Sequence, residues 1–335
     1  TFRRSGKLLA TCSKDSTVRI WEVESGKLVV KLEGHRDWVS SALFSSDASQ
    51  LIYASWDNRV LVWDIVKGTI IREFSGHTAP VQMVALSPDG KTLASVSDDH
   101  TGIIYDLSSG KQKYVLKGHG AETRTVQFSP DGTSCLTASA DNTAKLWSLF
   151  TGKQIRDFVG HKGSVQTAVF SRNGRFVLTA SMDHSAIVWN LADGNIKHIL
   201  KGHEAPVQSA AYDRTGRFVI TSSRDQTLRI WDGVTGKNIH NVTAHSDWVN
   251  LAITHPQRNE ILSISSDNTA KTWDIQGRQK YNLQGYLTRI QSAAFSHDGQ
   301  YLLTGSWDST AKLWRHNDGQ LLFEFKGHRD WVNAA

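Results

Sequence analysis

GHKGSVQTAVFSRNGRFVLTASMDHSAIVW, residues 160–189, opens on a Gly-His pair and ends on a Trp with an Asp six residues before it. Between them lie short runs rich in β-branched and aromatic residues, parted by the turn signal SRNGR at 171–175. What makes the stretch decisive is that it recurs. Gly34-His35, Gly76-His77, Gly118-His119, Gly160-His161 and Gly202-His203 stand 42 residues apart; Ala244-His245 keeps the step, Gly285-Tyr286 follows after 41 and Gly327-His328 after 42. Trp21, Trp63, Tyr105, Trp147, Trp189, Trp231, Trp273 and Trp314 move with the same spacings. Each follows its own Asp by six residues: Asp15, Asp57, Asp99, Asp141, Asp183, Asp225, Asp267 and Asp308.

The two termini are complementary parts of one such unit. A complete unit takes 30 residues from Gly34 to Trp63; the last nine residues of the chain and the 21 from Thr1 to Trp21 make up the same length. Seven periods of 42 and one of 41 account for all 335 residues, so eight units close into a ring with none left over. Excision from a longer array would give the same count, and the start, TFRRSGKLLAT, without an initiator Met or an apolar core of signal-peptide length, reads as a processed or excised segment.

Each unit offers four strand signals, as in VSSALFS (39–45), LIYASW (51–56), RVLVWDI (59–65) and TIIREFSG (69–76). Turns such as SPDGK (87–91), SPDGT (129–133) and SHDGQ (296–300) separate the first two. A four-stranded unit cannot bury both faces alone; radial stacking buries them between neighbours. Eighteen residues after each His position, counted across the termini for His328, stand Thr11, Tyr53, Ser95, Thr137, Thr179, Thr221, Ser263 and Thr304. An imidazole bridging such a hydroxyl to the Asp, with the indole N–H donating to the same hydroxyl, makes a buried polar chain that needs no ligand. Five units carry all four members; the other three depart through Tyr53, Tyr105 and Tyr286 and are expected to be the softer ones.

With these markers in place the chain resembles the WD40 (Trp-Asp) repeat β-propeller family over its whole length. The resemblance implies an all-β ring of four-stranded antiparallel blades, each braced by its quartet. The units are 327–335 with 1–33, then 34–75, 76–117, 118–159, 160–201, 202–243, 244–284 and 285–326, together one domain over 1–335. Eight blades are expected, because the family's commoner seven would strand one unit. Closure is expected to resemble the family's clasp, with WVNAA (331–335) as the innermost strand of the blade begun by KLLATC (7–12).

Composition narrows function. At 39% apolar and 21% charged, with no long apolar run, the chain reads as soluble and globular, without a membrane span. Cys12 and Cys135 belong to no metal-ligand spacing and suit a reducing, cytoplasmic or nuclear, compartment. Seven of the 14 His are the periodic ones, and His100, His184, His198, His240, His255, His297 and His316 scatter without ligand spacing. No HExxH, Walker loop or GxSxG occurs, so neither an enzyme nor a metal or other cofactor is expected. The net charge of +6 includes no basic run of the kind that binds nucleic acid, leaving weak polyanion contact as a lesser alternative. Lys145, Lys271 and Lys312, two residues before their strand Trp, read as outward, solvated strand positions.

What remains is surface. Five Trp lie outside the strand position: Trp38, Trp56, Trp248, Trp307 and Trp331. The resemblance places them on the face that carries the Gly-His loops, in adjacent blades, with Lys14, Arg289 and, across the ring, Arg224. The expectation is a non-catalytic scaffold that binds a protein or peptide, with an acidic segment suited to those cations, on that face. The alternative is the sensor or regulatory module of a larger signalling protein or enzyme, a monomeric propeller acting through the same kind of binding.

Overall fold

The computed structural model describes residues 1–334. Its strands, numbered β1 to β32 in chain order, form eight four-stranded antiparallel sheets, and no helix occurs among the described residues, so none is long and apolar enough to cross a membrane. One blade shows the plan: β16 (Val165–Phe170), β17 (Phe176–Ser181), β18 (Ser185–Asn190) and β19 (Ile196–Lys201) pair in sequence order from the innermost strand outward. Five of the six residues of β17 are buried in unbroken succession, because neighbouring blades cover both its faces; β19, at the edge, leaves Ile199 exposed.

The core is divided among the junctions. Leu136 and Phe158 of one blade pack with Val165, Phe170, Val177 and Trp189 of the next. Similar clusters occupy each of the other junctions. Each fully buried aliphatic side chain contributes about 1.5–3 kcal/mol, so a blade is stabilised mainly by its two neighbours.

The closing blade pairs β3 (Leu28–Leu32), β2 (Val18–Glu22), β1 (Leu8–Ser13) and β32 (Val332–Ala334). The clasp expected of 331–335 is present at Val332–Ala334, with Ala335 outside the described residues. It covers only the upper half of β1. The lower half is paired by the segment before β1: Ala10 N–H donates to Thr1 O at 2.8 Å, Arg3 N–H donates to Leu8 O at 2.9 Å, and Phe2 bridges Leu9.

The Lys reading is corrected. Lys145 and Lys312 are buried, at 5% and 2% exposure, and pair with Asp157 at 2.8 Å and Glu324 at 2.6 Å. Lys271 Nζ donates to Ala244 O at 2.7 Å. Outward alternation presumes one wet face, and a blade's third strand has none.

The hairpin joining the first two strands of a blade turns on a residue in the left-handed region, Gly90, Gly132 or Gly174 in three blades (φ 71°, 69° and 65°). Ala48 holds the equivalent place at φ 59°. An L-residue pays roughly 1 kcal/mol there that Gly does not. Ala48→Gly is therefore expected to raise stability by about 1 kcal/mol, read as a small increase in Tm; a decrease would contradict it.

Candidate functional site

The periodic His, hydroxyl, Asp and Trp meet inside each blade. Trp189 Nε1–H donates to Thr179 Oγ1 at 2.8 Å, Thr179 Oγ1 lies 2.7 Å from His161 Nε2, and His161 Nδ1 lies 2.8 Å from Asp183 Oδ2. The quartets of His119, His203, His245 and His328 have the same three links, all between 2.7 and 3.0 Å. Asp183 also accepts from Ser185 Oγ at 2.6 Å and from the Lys162 backbone N–H at 2.9 Å. A carboxylate so engaged and an imidazole with both nitrogens committed are braces, with no lone pair aimed at a substrate.

Two further members complete the brace, the Ser of a recurring Ser-x-Asp marker and a hydroxyl that the sequence reading did not single out. A Ser two residues before each Asp recurs in all eight blades: Ser181 Oγ donates to Gly163 O at 2.7 Å and accepts from Asp183 N–H at 3.1 Å, tying the Gly-His loop to the hairpin. A hydroxyl two residues after the Asp, such as Ser185 or Thr143, recurs in all blades but one. There Arg59 stands instead and donates to Asp57 Oδ2 at 2.7 Å and Gly34 O at 2.9 Å.

The three Tyr units are braced differently. Tyr53 leaves His35 Nε2 against the Tyr53 backbone carbonyl at 3.3 Å, with the Tyr53 hydroxyl buried and without a partner. Tyr105 reaches Ser75 O at 3.4 Å, while Ser95 Oγ still meets His77 Nε2 at 2.8 Å. The Tyr286 hydroxyl bonds Thr304 Oγ1, which Trp314 Nε1–H also reaches at 2.9 Å; Asp308 takes the Leu287 N–H at 3.0 Å.

Two non-periodic His also meet. His255 and His316 lie with ring centroids 4.7 Å apart at the junction of the last two complete blades, and His316 Nε2 contacts Glu260 Oε2 at 2.5 Å. Sequence spacing gave no sign of this pair. No group of three or more His, Cys, Asp or Glu able to hold a metal occurs among the described residues.

Burial holds His161, His245, His255, His316 and His328 below the ordinary 6.5, against the opposing pull of their carboxylate or carbonyl partners. Burial alone would raise Asp183, but the bonds from Ser185, Lys162 and His161 outweigh it and lower its pKa. Both shifts have the same sign: the unfolded chain takes up protons that the ring refuses. Stability from these His is fully present above 6.5 and is lost as pH falls through their lower native values, with the Asp contribution lost below the ordinary carboxylate range. Tm is expected to hold near pH 7–8 and to fall progressively below about 6.5; a rise on acidification would contradict this.

The other cluster is on the Gly-His-loop face. Two positions per blade are joined there by a backbone bond: Trp56 N–H to Trp38 O at 2.9 Å, Lys14 N–H to Trp331 O at 2.8 Å, and Trp307 N–H to Arg289 O at 3.2 Å. Side chains at paired positions stand side by side, which is why they stack. Trp38 lies on Trp56 at 4.2 Å between centroids, and Arg289 lies over Trp307 at 3.9 Å. The ring's curvature then links blades: Trp307 and Trp331 are parallel within 1° at 3.7 Å, and Trp331 meets Trp38 edge-on at 5.8 Å. Lys14 Nζ sits 4.1 Å from Trp38 and 4.2 Å from Trp331. Arg289, Trp307, Trp331, Lys14, Trp38 and Trp56 thus form one ladder across three consecutive blades. Trp248, 41% exposed and covered by Arg224 at 4.4 Å, stands one blade further on.

A pocket of about 250 Å³ opens beside the ladder, lined by Trp38, Trp56, Trp307 and Trp331 with the amides of Gln82, Gln291 and Asn333. Among the described residues none of Lys14, Arg224 and Arg289 belongs to an ion pair with a carboxylate; Arg289 donates to Gln291 Oε1 at 3.0 Å and Arg224 abuts the Gln208 amide.

Comparison with known proteins gives two family-model matches: "WD domain, G-beta repeat" over residues 1–22, 26–64 and 68–106, and "IFT122 first beta-propeller" over 102–335. Similar curated proteins include an uncharacterized WD repeat-containing protein of Nostoc sp. (55% identity; 11% of this chain, 3% of the relative). The nuclear distribution protein PAC1 of Coccidioides posadasii is 46% identical over 14% of this chain and 10% of its own length. A guanine nucleotide-binding protein subunit beta of Schizosaccharomyces pombe is 40% identical over 16% and 18%. The matches thus span less than a fifth of these relatives' own lengths. The crystal structure of the computationally designed Ika8 protein superposes with a TM-score of 0.83 over 92% of this chain and 93% of that one, at 22% identity, a likeness of fold alone.

Proposed function

Because the chain belongs to the WD40-repeat β-propeller family, whose members generally serve as protein-interaction scaffolds, we propose that it binds a protein or peptide partner on its Gly-His-loop face, through Trp38, Trp56, Trp248, Trp307 and Trp331 with Lys14, Arg224 and Arg289. The observation that carries this reading is the ladder of four Trp across three blades. Its cations lie on indole faces, in ion-pair contact with no carboxylate among the described residues. Trp and Arg dominate binding hot spots because they bury large rigid area beside a polar handle, and stacked side chains lose little further entropy on binding. Unneutralised cations favour an acidic segment in the partner. The quartets, committed to bracing, leave chemistry to others, so the face acts by holding its partner.

Replacing Trp56 and Trp307 with Ala is expected to weaken partner binding strongly while the ring stays folded; capture at full affinity would overturn the assignment.

A further inference from the structure

One blade departs from the others at the tip of its Gly-His loop. The residue after the loop His is polar, charged or Gly in seven blades, from Arg36 to Arg329, but Leu287 in the eighth, where it is 85% exposed. Its backbone is held as in the other blades, with N–H to Asp308 Oδ2 at 3.0 Å, so the apolar side chain is not needed to shape the loop. Facing it across the junction is Trp248, the most exposed of the five face tryptophans. Between them lies a cleft of about 540 Å³, within the range of sites that take a side chain or small ligand, lined also by Arg289, Trp307, Ser266 and Thr288.

The cleft combines apolar and cationic side chains. Arg289 and Arg224 each lie on a wall tryptophan, and burial together with the charge of Arg224 holds Arg289 below the usual guanidinium pKa. Asp247, the one carboxylate in the lining, is engaged in accepting the Trp248 N–H at 2.7 Å. Arg289 in the lining, with Arg224 on the Trp248 ring and near enough for its charge to act on Arg289, outweighs the one engaged carboxylate and leaves a positive balance beside an exposed Leu and Trp.

We propose that this cleft is the specificity pocket of the face: it takes one large apolar side chain of a linear peptide segment between Leu287 and Trp248, with an adjacent Asp or Glu of that segment between Arg224 and Arg289. The inference rests on the reading of the face as a peptide-binding surface and adds the partner's local chemistry. Exposed apolar contact supplies affinity, and the guanidinium pair rejects basic or neutral neighbours.

The test is selection of a random 12-residue peptide display library on the intact chain, followed by binding of the synthesised consensus peptide to Leu287→Thr, Arg289→Gln and Trp56→Ala, each checked for an unchanged Tm. The expected consensus places Asp or Glu beside Leu, Ile, Phe or Trp, and both Leu287→Thr and Arg289→Gln weaken it at least tenfold. If Arg289→Gln lowers Tm, Arg224→Gln takes its place. A consensus that is basic, or that binds both cleft variants normally while failing on Trp56→Ala, overturns the pocket and leaves the face as the binding surface. Absence of any enriched peptide on the intact chain overturns both.

Discussion

Deleting residues 330–335 is expected to lower Tm by roughly 10 °C and to make the closing blade the first site of proteolysis. Val332 is fully buried and packs with Leu9, Leu303, Leu313 and Phe325, so its loss unpins the junction between the last blade and the first. The deletion also removes the pairing of β32 with Cys12 and Ser13 and two tethers at 2.8 Å, Lys14 N–H to Trp331 O and Ser13 Oγ to Asp330 O. A buried Val contributes about 1.5–3 kcal/mol and each such hydrogen bond about 1, giving a loss on the order of 5 kcal/mol. At about 2 °C per kcal/mol for a chain of this size the shift follows. The remaining blades keep their neighbours, so loss should begin at the seam and spread. His328 would still reach Asp15 and Thr11, so the expected product is an opened ring and not a fully unfolded chain. An unchanged Tm together with unchanged protease resistance would contradict closure through β32.

Replacing Trp56 and Trp307 with Ala is expected to weaken partner binding by at least a hundredfold with a change in Tm of only a few degrees. Each indole forms one member of a stacked pair, Trp56 on Trp38 and Trp307 on Trp331, so truncation removes contact area and also frees its partner ring. Hot-spot truncations cost about 2–4 kcal/mol apiece, and coupling through the shared ladder makes the sum less than additive. Both side chains are only half-buried and lie outside the junction clusters, so the ring keeps its core. Arg289 would lose the ring beneath it, and the salt dependence of the residual binding should change with it.

The architecture could be read from the sequence because its markers are coupled. His161, Thr179, Asp183 and Trp189 lie on a loop, a strand, a turn and the next strand, yet each is spaced by strand and turn lengths that barely vary, so their joint recurrence records a three-dimensional contact. Ring size was expected from the period and the length of the chain, since seven blades would strand one unit. Lys145 and Lys312 were misread because two-residue alternation says which way a side chain points but not whether water is there; in a propeller the answer is the next blade. The His255–His316 contact was invisible for a related reason: the two residues belong to different blades and repeat nowhere. On the face, the positions of Trp38, Trp307 and Trp331 were implied by the family resemblance, but their stacking was not. It depends on how far the ring's curvature brings neighbouring blades together, which no single unit encodes. The lower half of β1's inner edge likewise required coordinates to show that Thr1–Arg3 fill it.

The central claim, that the aromatic half of the Gly-His-loop face holds the partner, is tested most directly by quantitative pull-down from native lysate. The intact chain is compared with one carrying Ala at Trp38, Trp56, Trp307 and Trp331, and with one carrying Ala at Glu122, Ser164 and Met182 on the opposite half, where the same backbone pairing recurs (Ala140 N–H to Glu122 O and Met182 N–H to Ser164 O, each 2.9 Å), all verified as folded by their Tm. The account predicts a protein captured by the intact chain and by the opposite-half variant but depleted at least tenfold from the first variant. Equal capture by all three would contradict it and leave the tryptophans as packing.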